Sequence, residues 1–433
     1  MLRLLNVPKT SQKRTPPIKF IGQGAYGCVF QPFIQCKGST APTNAQYISK
    51  IQKNTTNIQR EVLLGKIINA IANSKFFFAP IIDVCPVNID VIPQAELQKC
   101  DVLSKPNRHT GLISLNQTHE YISSKIRYAG KIPVTKYLLN HLNNPKKMVR
   151  YMLRFNVHML RGLQLLHSAK SLIIHNDIKD GNVIYDEQHG HPIYIDFGLS
   201  YQVEDITPEK VAKVFYTDRT YTPWAFEITL LSYISRRVMP RIDITKTLIT
   251  PQDIRTIKEL FATFLAEIEI LDPNLELISE PEINLFRKQI HQFIDTFLNK
   301  SWKVLFDELV TNADTWDNYS IAVMYLLIIL DTILDQNIQP PAWIKSYMAI
   351  LKTVILAVPN TASSVKRMSV KDTTSKITQL FMMVEKNEML KTVLHLKKQE
   401  NTSHLRIQRY QKRSLHRNLK SNEIQNERNL VVQ

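Results

Sequence analysis

Glycine is scarce in this chain, 11 in 433 residues, so the few glycines that cluster carry information. Cysteine is scarcer still. The four are Cys28, Cys36, Cys85 and Cys100, all in the first quarter and none in a C-x-x-C pair. That spacing fits neither a zinc site nor a disulfide framework, and it predicts free thiols in a reducing compartment. Long apolar runs are absent too. The longest, residues 321–330, stops at Asp331, is too short to cross a bilayer and reads as a buried helix. The basic stretch 1–17 has no apolar h-region, so no signal peptide is expected and a cytoplasmic location is. Acidic side chains are in deficit: 38 against 55 basic ones leave a net charge of +17. Such an excess points to acidic partners, nucleic acid, anionic membrane or acidic proteins, with a spread solubilising charge as the plain alternative. The apolar content is ordinary, and the chain is long enough for one large or two ordinary domains.

The glycines concentrate in Ile21-Gly22-Gln23-Gly24-Ala25-Tyr26-Gly27-Cys28-Val29, a G-x-G-x-x-G-x-V pattern. Lacking Cβ atoms, such a turn can lie close over phosphates. Alone it is weak, because a dinucleotide-binding fingerprint reads similarly. That fingerprint needs a helix directly after the glycines, and here residues 28–33 read as a second strand. Tyr47-Ile48-Ser49-Lys50-Ile51 reads as a third, after an extended hairpin loop over residues 35–44. Lys50 sits inside the apolar alternation, with Lys53 as its competitor. Glu61 is the sole acidic residue between Lys50 and Asp83, and it opens a segment with helical apolar spacing. Residues 76–84 and 121–128 read as further strands. A long helical pattern follows, with Met152, Phe155, Met159, Leu163 and Leu166 three or four apart. It leads into His175-Asn176-Asp177-Ile178-Lys179-Asp180-Gly181-Asn182. The apolar run Ile193-Tyr194-Ile195 then delivers Asp196-Phe197-Gly198.

The loop carrying Asp177 and Asn182, followed at this spacing by D-F-G, resembles the catalytic loop and metal-binding element of eukaryotic-type protein kinases. The double match is specific where either half alone would say little. It implies an α+β, two-lobed kinase-like fold: a small antiparallel β N-lobe over residues 18–128 and a mainly helical C-lobe over 129–385. It implies serine/threonine kinase activity on protein substrates, with ATP and Mg²⁺ or Mn²⁺ as cofactors. Asp177 would be the catalytic base, Lys179 would neutralise charge on the transferring phosphate, and Asn182 and Asp196 would hold the metal. Ile21, Gly22, Gln23, Gly24, Ala25, Tyr26, Gly27, Cys28 and Val29 would cover the nucleotide, with Val29 on the adenine. Lys50 would hold the α/β-phosphates, with Glu61 as its partner. Residues 127–130 resemble the hinge between lobes.

Other landmarks match in part. Glu227, in Ala225-Phe226-Glu227, stands where kinases carry the glutamate of A-P-E, and Thr220 where a threonine contacts the catalytic Asp and Lys. Asn176 stands where many kinases have an arginine that reads a phosphorylated activation segment, so activity gated in that way is not expected. Asp317-Asn318-Tyr319-Ser320 resembles a later helix start. Between these lies an unusually long insert, about residues 228–316. Ile254, Ile257, Phe261, Phe264 and Ile268 mark one amphipathic helix, opened by Thr250-Pro251-Gln252-Asp253, and Phe286, Ile290, Phe293 and Phe297 another. The insert reads as structural elaboration or a partner-binding module. Arg367 resembles the last landmark, expected to pair with Glu227. In the basic tail 386–433, Arg406, Arg409, Arg413 and Arg417 have helical spacing; a polyanion site and a solvated tail are the two readings.

Choline- and aminoglycoside-type kinases share the implied fold and often read H-N-D or H-G-D here. Lys179, the glycine loop and Thr220 speak against them. A pseudokinase serving as a virion or scaffold component is the non-enzyme rival, opposed by the intact nucleotide and metal positions. The divergent landmarks, the insert and the basic balance resemble kinases of large DNA viruses, iridovirus-like ones among them. That origin would put the chain in host cytoplasm and the virion.

Overall fold

The structure is a computed structural model. It describes residues 16–24, 27–38, 44–87, 89–101, 121–141, 145–169, 171–215, 221–268, 277–332, 342–359, 366–386 and 410–415. These fall into two compact units. The smaller holds the described residues up to Ile58 together with Ile81–Tyr128, and the larger holds Gln59–Pro80 and those from Ala129 onward.

Five strands build the smaller unit. In spatial order they are Lys19–Gln23, Gly27–Gln31, Tyr47–Lys53, Tyr121–Arg127 and Ile81–Pro86, each antiparallel to its neighbours. Successive side chains of a strand point to opposite faces. On one face Cys28, Phe30 and Ile51 join Ile34, Val87, Ile92, Leu97 and Cys100 in a small core. On the other, Val29 stands opposite Lys50, and Lys50 opposite Ser124. The outer strand's free edge is covered rather than left to solvent. The Phe20 N–H donates to Glu96 (2.7 Å), and Gln23 exchanges two hydrogen bonds of 3.1 Å with Asp101.

The cysteines depart from expectation. None is free: Cys28 is bonded to Cys100 and Cys36 to Cys85, with Cα separations of 5.9 and 5.5 Å. The partners lie 72 and 49 residues apart. Pairs so distant come together only through the strand order, which residue spacing does not encode. Residues 76–84 also differ, forming two strands. Phe78–Ala79 pairs in parallel with His191–Ile195 in the larger unit, while Ile81–Pro86 belongs to the smaller. Pro80, with no N–H to give a ladder, stands between them.

One large apolar cluster fills the larger unit. Helix Pro145–His167 buries Met152, Phe155, Met159, Leu163 and Leu166, the face its periodicity predicts. Helix Trp316–Thr332 is buried along residues 321–330, which accounts for the apolar run. Two helices of the insert, Pro251–Glu267 and Glu280–Asp295, open on capping boxes, Thr250 with Asp253 and Ser279 with Glu282. Phe261 and Phe264 pack edge-on against Phe226, at 4.8 and 5.4 Å between centroids, and Phe261 also meets Phe286 at 5.4 Å. The apolar faces of these helices therefore serve the unit's own core. Helix Trp302–Thr311, which the sequence pattern did not announce, buries Trp302, Leu305, Phe306 and Leu309 in the same cluster. Among the described residues no helix is long and apolar enough to cross a membrane.

Of the basic tail, residues 410–415 are described and helical. They are not a solvated appendage: Tyr410 is 5 % exposed, and Arg413 pairs with Asp331, which is buried. Tail composition is dominated by charge, which hides the one aromatic that docks. Ala25, Tyr26, Thr220, Arg406, Arg409 and Arg417 lie outside the described residues.

Candidate active site

The larger unit brings Asp177, Lys179 and Asn182 together. Strand Ile173–Ile174, paired with Tyr201–Gln202, ends where the loop begins. The Asp317 carboxylate accepts the N–H groups of His175 (2.7 Å) and Asn176 (2.9 Å). Burial pushes the Asp317 carboxyl above the usual carboxylate range, with His175 and the two N–H groups opposing the rise. The His175 ring meets the Ile195 carbonyl through Nε2 (3.1 Å) and the Asp177 N–H through Nδ1 (3.3 Å), which ties the loop to the strand before Asp196. Asn176 and Asp196 both adopt left-handed backbone, φ 63° and 60°, a conformation Asn and Asp tolerate better than most. Asn176 is also buried, holding the Trp224 indole N–H on its carbonyl (2.8 Å).

Asp177 is 2 % exposed, and a carboxylate so buried needs donors. It has three. Asn182 Nδ2 reaches Oδ2 at 2.7 Å and the Asp177 carbonyl at 2.9 Å. Lys179 Nζ lies 3.2 Å from Oδ2. The Tyr221 hydroxyl donates to Oδ1 at 2.7 Å, and its ring lies 5.6 Å from Lys179 Nζ. Thr220, expected to contact Asp177 and Lys179, lies outside the described residues; Tyr221, the next residue, makes a contact of its own that was not foreseen. The only signal was an aromatic beside the expected position.

Asn182 ends the turn Asp180–Asn182, and the hairpin of Val183–Asp186 with His191–Ile195 follows, Val183 opposite Tyr194. Asn182 and Asp196 therefore leave the same end of the hairpin. With its Nδ2 committed to Asp177, Asn182 presents Oδ1 as its open acceptor. An amide oxygen and a carboxylate suit Mg²⁺, which takes few protein oxygens and keeps the rest for water and phosphate. Glu61 stands in the same unit beside this element: a Cβ placed on Gly198 would lie 3.3 Å from Asp196 Oδ1 and 3.7 Å from Glu61 Oε2. Glu227, buried, takes both arms of Arg367, Nη1 on Oε1 and Nη2 on Oε2 (3.1 Å), as expected.

The remaining predicted residues belong to the smaller unit. Ile21, Gly22, Gln23, Gly24, Gly27, Cys28 and Val29 form the first hairpin, closed by the Gly24 N–H on the Gly27 carbonyl (2.9 Å). A Cβ on Gly27 would come 2.2 Å from the Ile51 carbonyl, so only glycine fits. At Gly22 and Gly24 a Cβ would meet open space, the room a phosphate chain needs. Lys50 is 9 % exposed at mid-strand, whereas Lys53 ends the strand in solvent.

Residues 93–230 match the protein kinase domain family. A probable serine/threonine-protein kinase, samkA of Dictyostelium discoideum, is 34 % identical over 146 residues, 33 % of this chain and 21 % of that protein. Its relative samkC is 34 % identical over 91 residues, 20 % and 9 % of the two chains. Protein kinase YpkA of Yersinia pestis is 54 % identical over 33 residues, 8 % and 4 % of the two. The matches support a protein kinase family. The α+β fold, an antiparallel sheet unit and a mainly helical unit, agrees with a kinase fold. The matched part spans about a fifth or less of each of these relatives.

Proposed function

We propose that this chain is a protein kinase that moves the γ-phosphoryl group of ATP onto serine or threonine hydroxyls of proteins. One observation carries the reading. Asp177 is held on Oδ2 by Asn182 and Lys179, while Oδ1 already holds a hydroxyl, that of Tyr221, at 2.7 Å. That is the geometry a general base needs towards an incoming alcohol. A substrate hydroxyl would replace the tyrosine's on Oδ1. Asp177 would orient it and take its proton late, and Lys179 would face the charge on the transferring phosphoryl group. Asn182 and Asp196 would hold a divalent cation, Mg²⁺ or Mn²⁺, which when bound supplies charge neutralisation at the phosphates. Lys50 and Glu61 keep the nucleotide-holding roles that the resemblance implies. The narrower likeness to kinases of large DNA viruses rests on the divergent landmarks, and host cytoplasm is the location it suggests.

The test is turnover of Mg·ATP by purified chain with casein or myelin basic protein. Asp177→Asn should keep ATP binding and lose about 100- to 10,000-fold in phosphoryl transfer. Equal turnover in that variant would remove Asp177 from the mechanism. Phosphorylation of choline or an aminoglycoside, with proteins untouched, would move the chain to the small-molecule class. No turnover by the wild-type chain would make it a pseudokinase.

A further inference from the structure

The turn Asp180–Asn182 sets where Asn182 stands, and its first residue is gripped from far along the chain. Asp180 is 5 % exposed, directly after Lys179. Its Oδ2 accepts the hydroxyl of Tyr410, and Ser414 Oγ lies 3.5 Å from the same oxygen. Tyr410 is itself 5 % exposed, so this contact is made inside the unit. One residue before Ser414, Arg413 pairs with Asp331, a carboxylate 1 % exposed at the end of helix Trp316–Thr332. The start of that same helix carries Asp317, which holds the His175 and Asn176 N–H groups. Residues 410–415 thus bridge two buried acids: one inside the catalytic loop, the other on the helix that anchors the loop's first residues. The loop is clasped at both ends, at His175–Asn176 by Asp317 and at Asp180 by the tail.

We infer that Tyr410 is a positioning residue of the catalytic loop. It acts through Asp180 to fix the turn that presents Lys179 and Asn182, and the Arg413–Asp331 pair seats the helix that carries it. A hydrogen bond to an ionised acceptor inside protein is among the stronger ones, and a buried carboxylate that loses its donor seeks water. Losing the Tyr410 hydroxyl should therefore release Asp180 and let the turn move. The basic tail becomes part of the catalytic unit, with Arg413 turned inward and Lys412 left outside.

The inference rests on the kinase reading for its activity arm alone. In full-length chain, Tyr410→Phe removes one hydroxyl, and Lys412→Ala on the same helix serves as control. Two readouts are taken: amide hydrogen exchange of residues 177–182, and kcat and KM for myelin basic protein with Mg·ATP. Tyr410→Phe should raise exchange in that loop about tenfold and lower kcat about tenfold with the KM for ATP within about twofold; Lys412→Ala should change neither. Arg413→Met should reproduce the exchange change, because it unseats the helix. Should the wild-type chain prove inactive, faster loop exchange in Tyr410→Phe still upholds the tail contact while the kinase reading fails. Loop exchange unchanged in both Tyr410→Phe and Arg413→Met overturns the inference. So does a kcat unchanged by Tyr410→Phe in an active chain.

Discussion

The two units solve stability in opposite ways. The smaller has a core of a few side chains and two disulfides; all four cysteines of the chain are in it. The larger has no cysteine, a much larger apolar cluster and a set of buried charges, each matched by a partner: Asp317 with two backbone N–H groups, Glu227 with Arg367, Asp331 with Arg413. Small domains bury too little apolar surface to be comfortably stable, and covalent links make up the difference. A large core can carry buried polar pairs, which fix geometry more than they stabilise. The smaller unit is therefore held in part by covalent links, and the larger by its core and by buried charges with partners.

The largest expected effect is on the larger unit. Arg367→Met leaves Glu227 buried without its guanidinium and should cost about 3–5 kcal/mol in urea unfolding. Adding Glu227→Gln should recover part of that. Hydrogen exchange should rise in helices Phe226–Tyr233 and Val370–Lys386 and stay level in the smaller unit's strands. A uniform rise across both units would erase the contrast.

Next is the smaller unit. Replacing Cys36 and Cys85 by serine frees a loop of 49 residues and should cost roughly 2–4 kcal/mol. Exchange should quicken in strands Gly27–Gln31 and Ile81–Pro86. Unchanged exchange there would mean that the sheet, and not the link, holds this unit.

The smallest effect is in pH. Burial, aided by His191, brings the His158 imidazole down to about 4, and burial does the same to His167. Both sit on helix Pro145–His167. An unfolded histidine binds its proton near pH 6.5, so between there and about 4 the unfolded chain holds more protons. The stabilisation is complete above pH 6.5 and is lost as pH falls towards 4. The Tm measured from pH 7 to 4.5 should drop for wild type, and less for His158→Gln. An equal drop in both would take His158 out of the account.

The grouping of residues in the loop from His175 to Asn182 was legible because the motif spans only a few positions. Asp177, Lys179 and Asn182 lie on one short loop, so local order is enough to place them together. The Glu227–Arg367 pair was also foreseen, because both ends carried landmarks. The disulfides were not, since nothing near Cys28 speaks of Cys100. Tyr221 was not foreseen, because a lone aromatic in that segment carries no pattern that ties it to Asp177. Tyr410 was missed because a docking aromatic in a basic, polar segment has no periodic companions to announce it. Helix Trp302–Thr311 lacked the strong start signal of its two neighbours.

The disulfides are nested: the ring closed by Cys36 and Cys85 lies wholly inside the ring closed by Cys28 and Cys100. A single peptide-bond cut anywhere between Cys36 and Cys85 leaves two fragments that remain covalently joined twice over, running as one band until a thiol is added. Releasing a piece of this stretch needs two cuts, and the piece can carry both Lys50 and Glu61. The lysine proposed for the nucleotide phosphates and its proposed partner thus travel on a segment that one nick cannot detach.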